Sequence, residues 1–252
     1  MNAIAAETRK ALSHAPVVWA MLCGVVLPVL LAAHNAAGIR TDLAAGIPDA
    51  DPTGIGTTEL MLAAAAAAVI GVVVVGSEFV AMPNELGGGR QATTTALATP
   101  SRLRCLGAKL LVTTVLLVVM AGIVAVATLL SAHALLGAYA PELDATSWWQ
   151  AAAGAAYVVS YGLLGFAVTA LLGNGLVPLI YLVANQTVIS VGYLLTLRWS
   201  WAWYLPDTSV MALMRTPPDP GQPGAAVAFA TAVAWLVVLF GAAAVVTARR
   251  EP

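Results

Sequence analysis

Any chemistry in this chain has to come from a short inventory of residues. A serine or cysteine nucleophile needs a histidine base within reach. The three histidines, His14, His34 and His133, fall at the ends of apolar runs or outside them. The last apolar run contains no histidine and the fourth no G-x-S-x motif, which sets an intramembrane serine protease aside. No loop gathers the aspartates that a metal-dependent headgroup transferase needs. Cys23 and Cys105 are too isolated for a disulfide framework or a zinc site. No G-x-x-x-x-G-K-[ST] occurs, so the chain lacks a phosphate loop. The run Leu86-Gly87-Gly88-Gly89-Arg90-Gln91 reads as a flexible turn. The expectation is no catalytic residue, metal ligand or cofactor in this chain; any ATP hydrolysis would belong to another polypeptide.

What remains is hydrogen-bonding chemistry inside apolar sequence. Asn185, Gln186, Thr187 and Ser190 interrupt the fifth apolar run, and Gln186, Ser190 and Tyr193 recur at i, i+4 and i+7, one stripe of a helix. Tyr157, Ser160, Tyr161 and Thr169 punctuate the fourth. Amides cost free energy in hydrocarbon unless paired, so they must face protein or a watery cavity. Two readings stand: hydrogen bonds between helices, or a substrate path beside the fifth run. No charge falls in the middle of any run, which counts against a carrier driven by a proton or sodium gradient.

The elements that hold these residues follow from composition. Of 252 residues, 60% are hydrophobic and 9% charged, with a net charge of −1. Soluble domains carry about 25% charged residues, and nucleic-acid binders need a basic face. Neither description fits, and no nucleic-acid partner is expected. A bilayer core of roughly 30 Å takes about 20 apolar residues in a helix. Six runs qualify: 16–37, 60–80, 106–132, 149–172, 176–197 and 225–247. They lack the alternation of a β-barrel. The fold expected is an all-α polytopic membrane protein of one transmembrane domain spanning 1–252.

Lys and Arg set the orientation. With the N-terminus inside, eight basic residues lie on the inner side and three (Arg40, Arg198, Arg215) on the outer, where eight of the twelve acids collect. Both termini are therefore expected in the cytoplasm. Trp148, Trp149, Trp199, Trp201 and Trp203 fall at the outer interface, where amphipathic rings are favoured.

Three segments lie outside the spans. Residues 1–15 form an amphipathic helix with Ile4, Thr8, Ala11 and Leu12 on one arc and Glu7, Arg9, Lys10 and His14 off it, suited to resting on the inner interface or to acting as a solvated stop. Residues 81–105 contain Pro100, which breaks the chain, and Ser101, which can cap the third span. Two helical turns fit between Gln91 and Thr99. Residues 198–224 combine aromatics with Pro206, Pro217, Pro218, Pro220 and Pro223.

Ser77-Glu78 at the foot of the second span, a threonine-rich stretch ending at Pro100, Arg102 and the pair Ala108-Lys109 together resemble the ABC-2 type permease family, its actinobacterial members most. Glu7-x-x-Lys10, the six-span order and Tyr204-Leu205-Pro206 extend the likeness along the chain. One departure is Met82 to Gly89, which lengthens the approach to the threonines, so that Glu78 and Glu85 compete for the family's acidic position.

The resemblance implies an exporter's permease subunit, of the type V exporter kind, in a bacterial plasma membrane. It would pair with a second copy or a homologous permease and receive two ABC ATPase subunits that bind ATP and Mg. Glu7, Lys10, Glu78, Glu85, Arg90, Thr94, Thr95, Pro100 and Arg102 become the coupling residues, with plain inner-side anchoring the other reading of Arg90, Arg102 and Lys109. Asn185, Gln186, Ser190 and Tyr193 become the substrate path. Trp199, Trp201, Trp203 and Pro206 become an outer gate, with 198–224 partly re-entrant. The implied substrate is hydrophobic or amphiphilic: a drug, antibiotic, lipid-like metabolite or antimicrobial peptide. The alternatives are a non-transporting immunity or sensor module and, last, an intramembrane enzyme.

Overall fold

Small residues at helical spacing decide which faces of this chain pack. In the computed structural model, which describes residues 3–79, 102–187, 190–215 and 218–249, the second helix buries Val17, Ala20, Gly24, Pro28, Ala32 and Ala36, one every turn. Its large residues Leu22, Val26, Leu27 and Leu30 point outward and are exposed. That inversion, small inside and large outside, suits a helix bundle whose solvent is lipid.

The described chain is all helical. α1 (Ala3–Ser13) meets α2 (Ala15–Ala44) at His14, whose extended backbone starts the new helix, with proline in the first turn of α2. Next come α3 (Leu60–Gly76), α4 (Arg102–Leu136), α5 (Ala145–Leu172), α6 (Leu176–Thr187), α7 (Val191–Thr196), α8 (Pro206–Met211) and α9 (Ala225–Arg249). Four of them, α2, α4, α5 and α9, are long and apolar enough to cross a membrane; α3 and α6 are shorter apolar helices. The protein is thus a membrane-embedded helical bundle. For orientation, the end bearing Ala3 and Arg249 is called inner.

α3 is the axis of the bundle. It is buried nearly all round and packs against α5, α2, α6 and α4. Its crossing with α5 brings backbone to backbone: a Cβ on Gly71 would lie 1.9 Å from the Gly162 carbonyl oxygen, and one on Gly165 3.1 Å from that of Ala68. α9 is peripheral, burying only Ala228, Ala232 and Ala243. α5 is bounded at both ends, by the Asp144 carboxylate accepting from Ser147 N (2.8 Å) and by Gly173 in the left-handed region (φ 64°).

Two elements depart from expectation. The run 176–197 is not one helix: α6 is described as far as Thr187, and α7 starts anew after Ser190, whose backbone is extended and whose Oγ accepts from Tyr193 N at 3.2 Å. Gln186, Ser190 and Tyr193 therefore do not share one continuous helical stripe. α1 does not turn its whole apolar arc to the bundle. Ala11 is buried and Glu7, Lys10 and His14 are part-buried against the bundle, whereas Ile4 and Leu12 are exposed.

Candidate functional site

What draws Glu7 and Lys10 of α1 against the bundle is an ionic cluster at the inner end. Lys109 sits two turns into α4, and a lysine there has to find anions or leave the bundle. It is 2% exposed. Its Nζ lies 2.6 Å from Glu7 Oε2 on α1 and 3.0 Å from Glu78 Oε1, just past α3. Lys10 Nζ reaches Glu78 Oε1 at 3.6 Å, and the Cys105 thiol faces Glu7 Oε1 at 3.8 Å. Burial first, and then the Lys109 ammonium, hold Lys10 below its usual range.

Three elements far apart in sequence are thus tied through one ammonium. Of the expected coupling residues, the structure brings Glu7, Lys10 and Glu78 together and adds Lys109, which inner-side anchoring alone would have left in water. Glu7, Glu78 and Cys105 also have the reach of a three-ligand metal site. The Lys109 ammonium already stands between the two carboxylates and with Lys10 balances their charge, so the donor set fits lysines better than a cation from solution. Glu85, Arg90, Thr94, Thr95 and Pro100 lie outside the described residues, and Arg102 opens α4.

A second polar centre lies at the break between α6 and α7. Asn185, 4% exposed, holds it together. Its Nδ2 donates to Tyr161 OH (3.0 Å) and Asp207 Oδ2 (3.3 Å), and its Oδ1 accepts from Val191 N (2.9 Å) across the break. Tyr161 OH donates to the Leu182 carbonyl at 3.1 Å, and Gln186 Nε2 donates to Tyr157 OH. The backbone freed by interrupting a helix is satisfied by side chains, as an apolar surrounding requires. The void beside the centre, lined by Tyr157, Ser160, Tyr161 and Asp207 among others, has about 10 Å³, the scale of one water.

Asp207 was not legible as a member of this centre. In sequence it belongs to the outer loop acids. The chain after α7 instead folds back: a 3-10 turn over Ser200–Tyr204 leads into α8, whose Thr208, Ser209, Val210 and Met211 are all buried. Asp207 thereby reaches Asn185 and the tyrosines about halfway along α5. Among the described residues it has no ion-pair partner. A part-buried carboxyl thus stands against this polar centre although the middle of each run carries no charged residue.

The expected outer gate is divided. Trp199 and Trp201 are exposed and stacked, with ring centroids 6.1 Å apart. Trp203 is 1% exposed and meets Tyr193 edge to face, so it belongs to the core rather than to the interface. Pro206 begins α8. Tyr193 also lies under Arg215, whose guanidinium carbon is 4.3 Å from the ring centre.

Compared with known proteins, the chain matches no family model and no curated relative.

Proposed function

We infer that this chain is the membrane-spanning permease subunit of an ATP-driven exporter, crossing the membrane six times with both ends in the cytoplasm of a bacterial cell. In this reading α3 and the broken pair α6–α7 supply the two spans that are short as single helices. The observation that carries the reading is the ionic cluster. It fastens α1, the foot of α3 and the start of α4 into one inner end, and Glu78 and Lys109 flank in sequence the segment 81–105 on which an ATPase would press. A helix held to the core by a buried ion pair transmits a push; a helix floating on the interface does not. The chain brings no phosphate loop, so ATP and Mg²⁺ bind in two partner ATPase subunits, and a second permease copy or a homologous permease completes the pathway.

The test is co-purification with an ABC ATPase and vanadate-sensitive ATP turnover by the pair. Arg102→Glu should detach or uncouple the ATPase, and a normal complex with normal transport would refute the docking role. A second reading, a carrier driven by a cation gradient, is favoured by the part-buried Asp207, which stands against Asn185 with no ion-pair partner among the described residues. Transport that vanadate leaves intact and a protonophore abolishes would select it.

A further inference from the structure

α5 and α8 face each other across the polar void of about 10 Å³, which has room for one occupant the size of a water. Helical spacing selects its lining. Tyr157, Ser160, Tyr161 and Leu164 recur at i, i+3, i+4 and i+7, one face of α5. Asp207 and its neighbours at the start of α8 close the void from the other side.

The polar groups gathered here are short of positive charge. Asp207 is part-buried and has no ion-pair partner among the described residues. The only donor to its carboxylate among them is the Asn185 amide, at 3.3 Å. Thr114 and Thr128 each give their hydroxyl to the carbonyl one turn back, but Ser160 makes no hydrogen bond among the described residues. Gln186, whose Nε2 meets Tyr157 OH, keeps Oε1 buried with no donor. A charged side chain held among membrane helices calls for a named partner. A water would answer the hydroxyls and leave the carboxylate's charge unanswered.

Oxygen donors of this kind suit a hard cation. One carboxylate balances one positive charge, and a divalent ion would leave the excess in a poorly solvated place. The size of the void excludes an organic ammonium and favours sodium, which is close to water in size, over the larger potassium. A carbon at Gly192 would collide with the Asp207 carboxylate, so a glycine on α7 is what lets the carboxylate stand where it does.

We propose that the void between α5 and α8 is a sodium-ion site, in which Asp207 supplies the charge and Tyr157, Ser160 and Tyr161 supply neutral oxygens. The proposal concerns binding. An ion held there braces α8 against α5 whether the chain works with an ATPase or runs on a gradient, so it rests on neither reading above.

The test equilibrates the full chain, in zwitterionic nanodiscs, with radioactive sodium at an ionic strength held constant by choline chloride. Protein-free discs are subtracted. No ATP, ATPase or gradient is present, so failure here leaves the exporter and carrier tests untouched. Sodium should bind saturably and raise the unfolding midpoint, and potassium should compete far more weakly. Asp207→Asn keeps an acceptor for the Asn185 amide but removes the charge, and should abolish binding. Ser160→Ala deletes one oxygen and leaves every charge in place; it should weaken binding roughly fivefold, the scale of one neutral polar contact. Glu142→Gln, which removes an exposed acid elsewhere, should bind as the unaltered chain does. Absence of saturable binding, equal competition by potassium, binding retained by Asp207→Asn or unchanged affinity in Ser160→Ala overturns the site and leaves the void to water. Should Asp207→Asn fail to fold, Ser160→Ala decides.

Discussion

Lys109 concentrates more consequence than any other single residue. Removing one member of a buried ion pair leaves the partner's charge uncompensated, at a cost of about 3–5 kcal/mol when both are fully desolvated. Here the glutamates keep some exposure, which places Lys109→Met toward the lower end of that range. Glu7→Gln should cost less, because Glu78 still answers the ammonium. Thermal unfolding in nanodiscs should rank the variants in that order, and equal losses would mean that Lys109 is held by packing rather than by charge. Asp144 gives a pH effect with a definite sign. The Ser147 N–H and hydroxyl hold its carboxyl below the usual range. Its folded value is thus lower than its unfolded one, and its cap stabilises above the ordinary carboxylate range and fades as pH falls through the lowered value. Asp144→Asn should remove that contribution to acid sensitivity, seen as a flatter unfolding midpoint between about pH 6 and about pH 3.

At the scale of elements, glycine positions separate contact from compositional habit. A Cβ on Gly71 would meet backbone of α5, which has no rotamer to yield, whereas one on Gly122 would meet nothing within 4 Å. Gly71→Ala should therefore force α3 and α5 apart at a cost of about 1–3 kcal/mol or more, and Gly122→Ala should be neutral or slightly stabilising. Unfolding midpoints of the two variants, measured side by side, check the pair. The long helices α2, α4, α5 and α9 were legible because a membrane span needs only length and apolarity. The break ahead of α7 was not. No proline marks it, and it is held by distant partners: Asn185 takes Val191 N on one side and reaches Asp207 on the other. The facing of α1 was hidden for a similar reason. A helical wheel records which residues share an arc, not that Lys109 waits on the other side of it.

For the whole molecule the testable quantity is sidedness. From the distribution of basic residues the turn after α5 is expected inside and the end of α2 outside. In a background with Cys23→Ser and Cys105→Ser, a membrane-impermeant maleimide should label Ala45→Cys in intact cells. Asn174→Cys should react only after the cells are opened, since both positions are exposed and differ only in side. Reversed labelling would invert the orientation and overturn the proposed docking of an ATPase at the inner end.

The ionic cluster also has a dimension in time. Glu7 and Lys109 are 102 residues apart, and chains are made at about 5–20 residues per second. For roughly 5–20 s during synthesis α1 has no Lys109 ammonium to close against, and two apolar helices, α2 and α3, are made before its anchor exists. Lys109, for its part, enters a bilayer in which its carboxylates are already waiting. The order of synthesis thus supplies the anions first and the cation second, so the charge that costs most to bury is never buried alone.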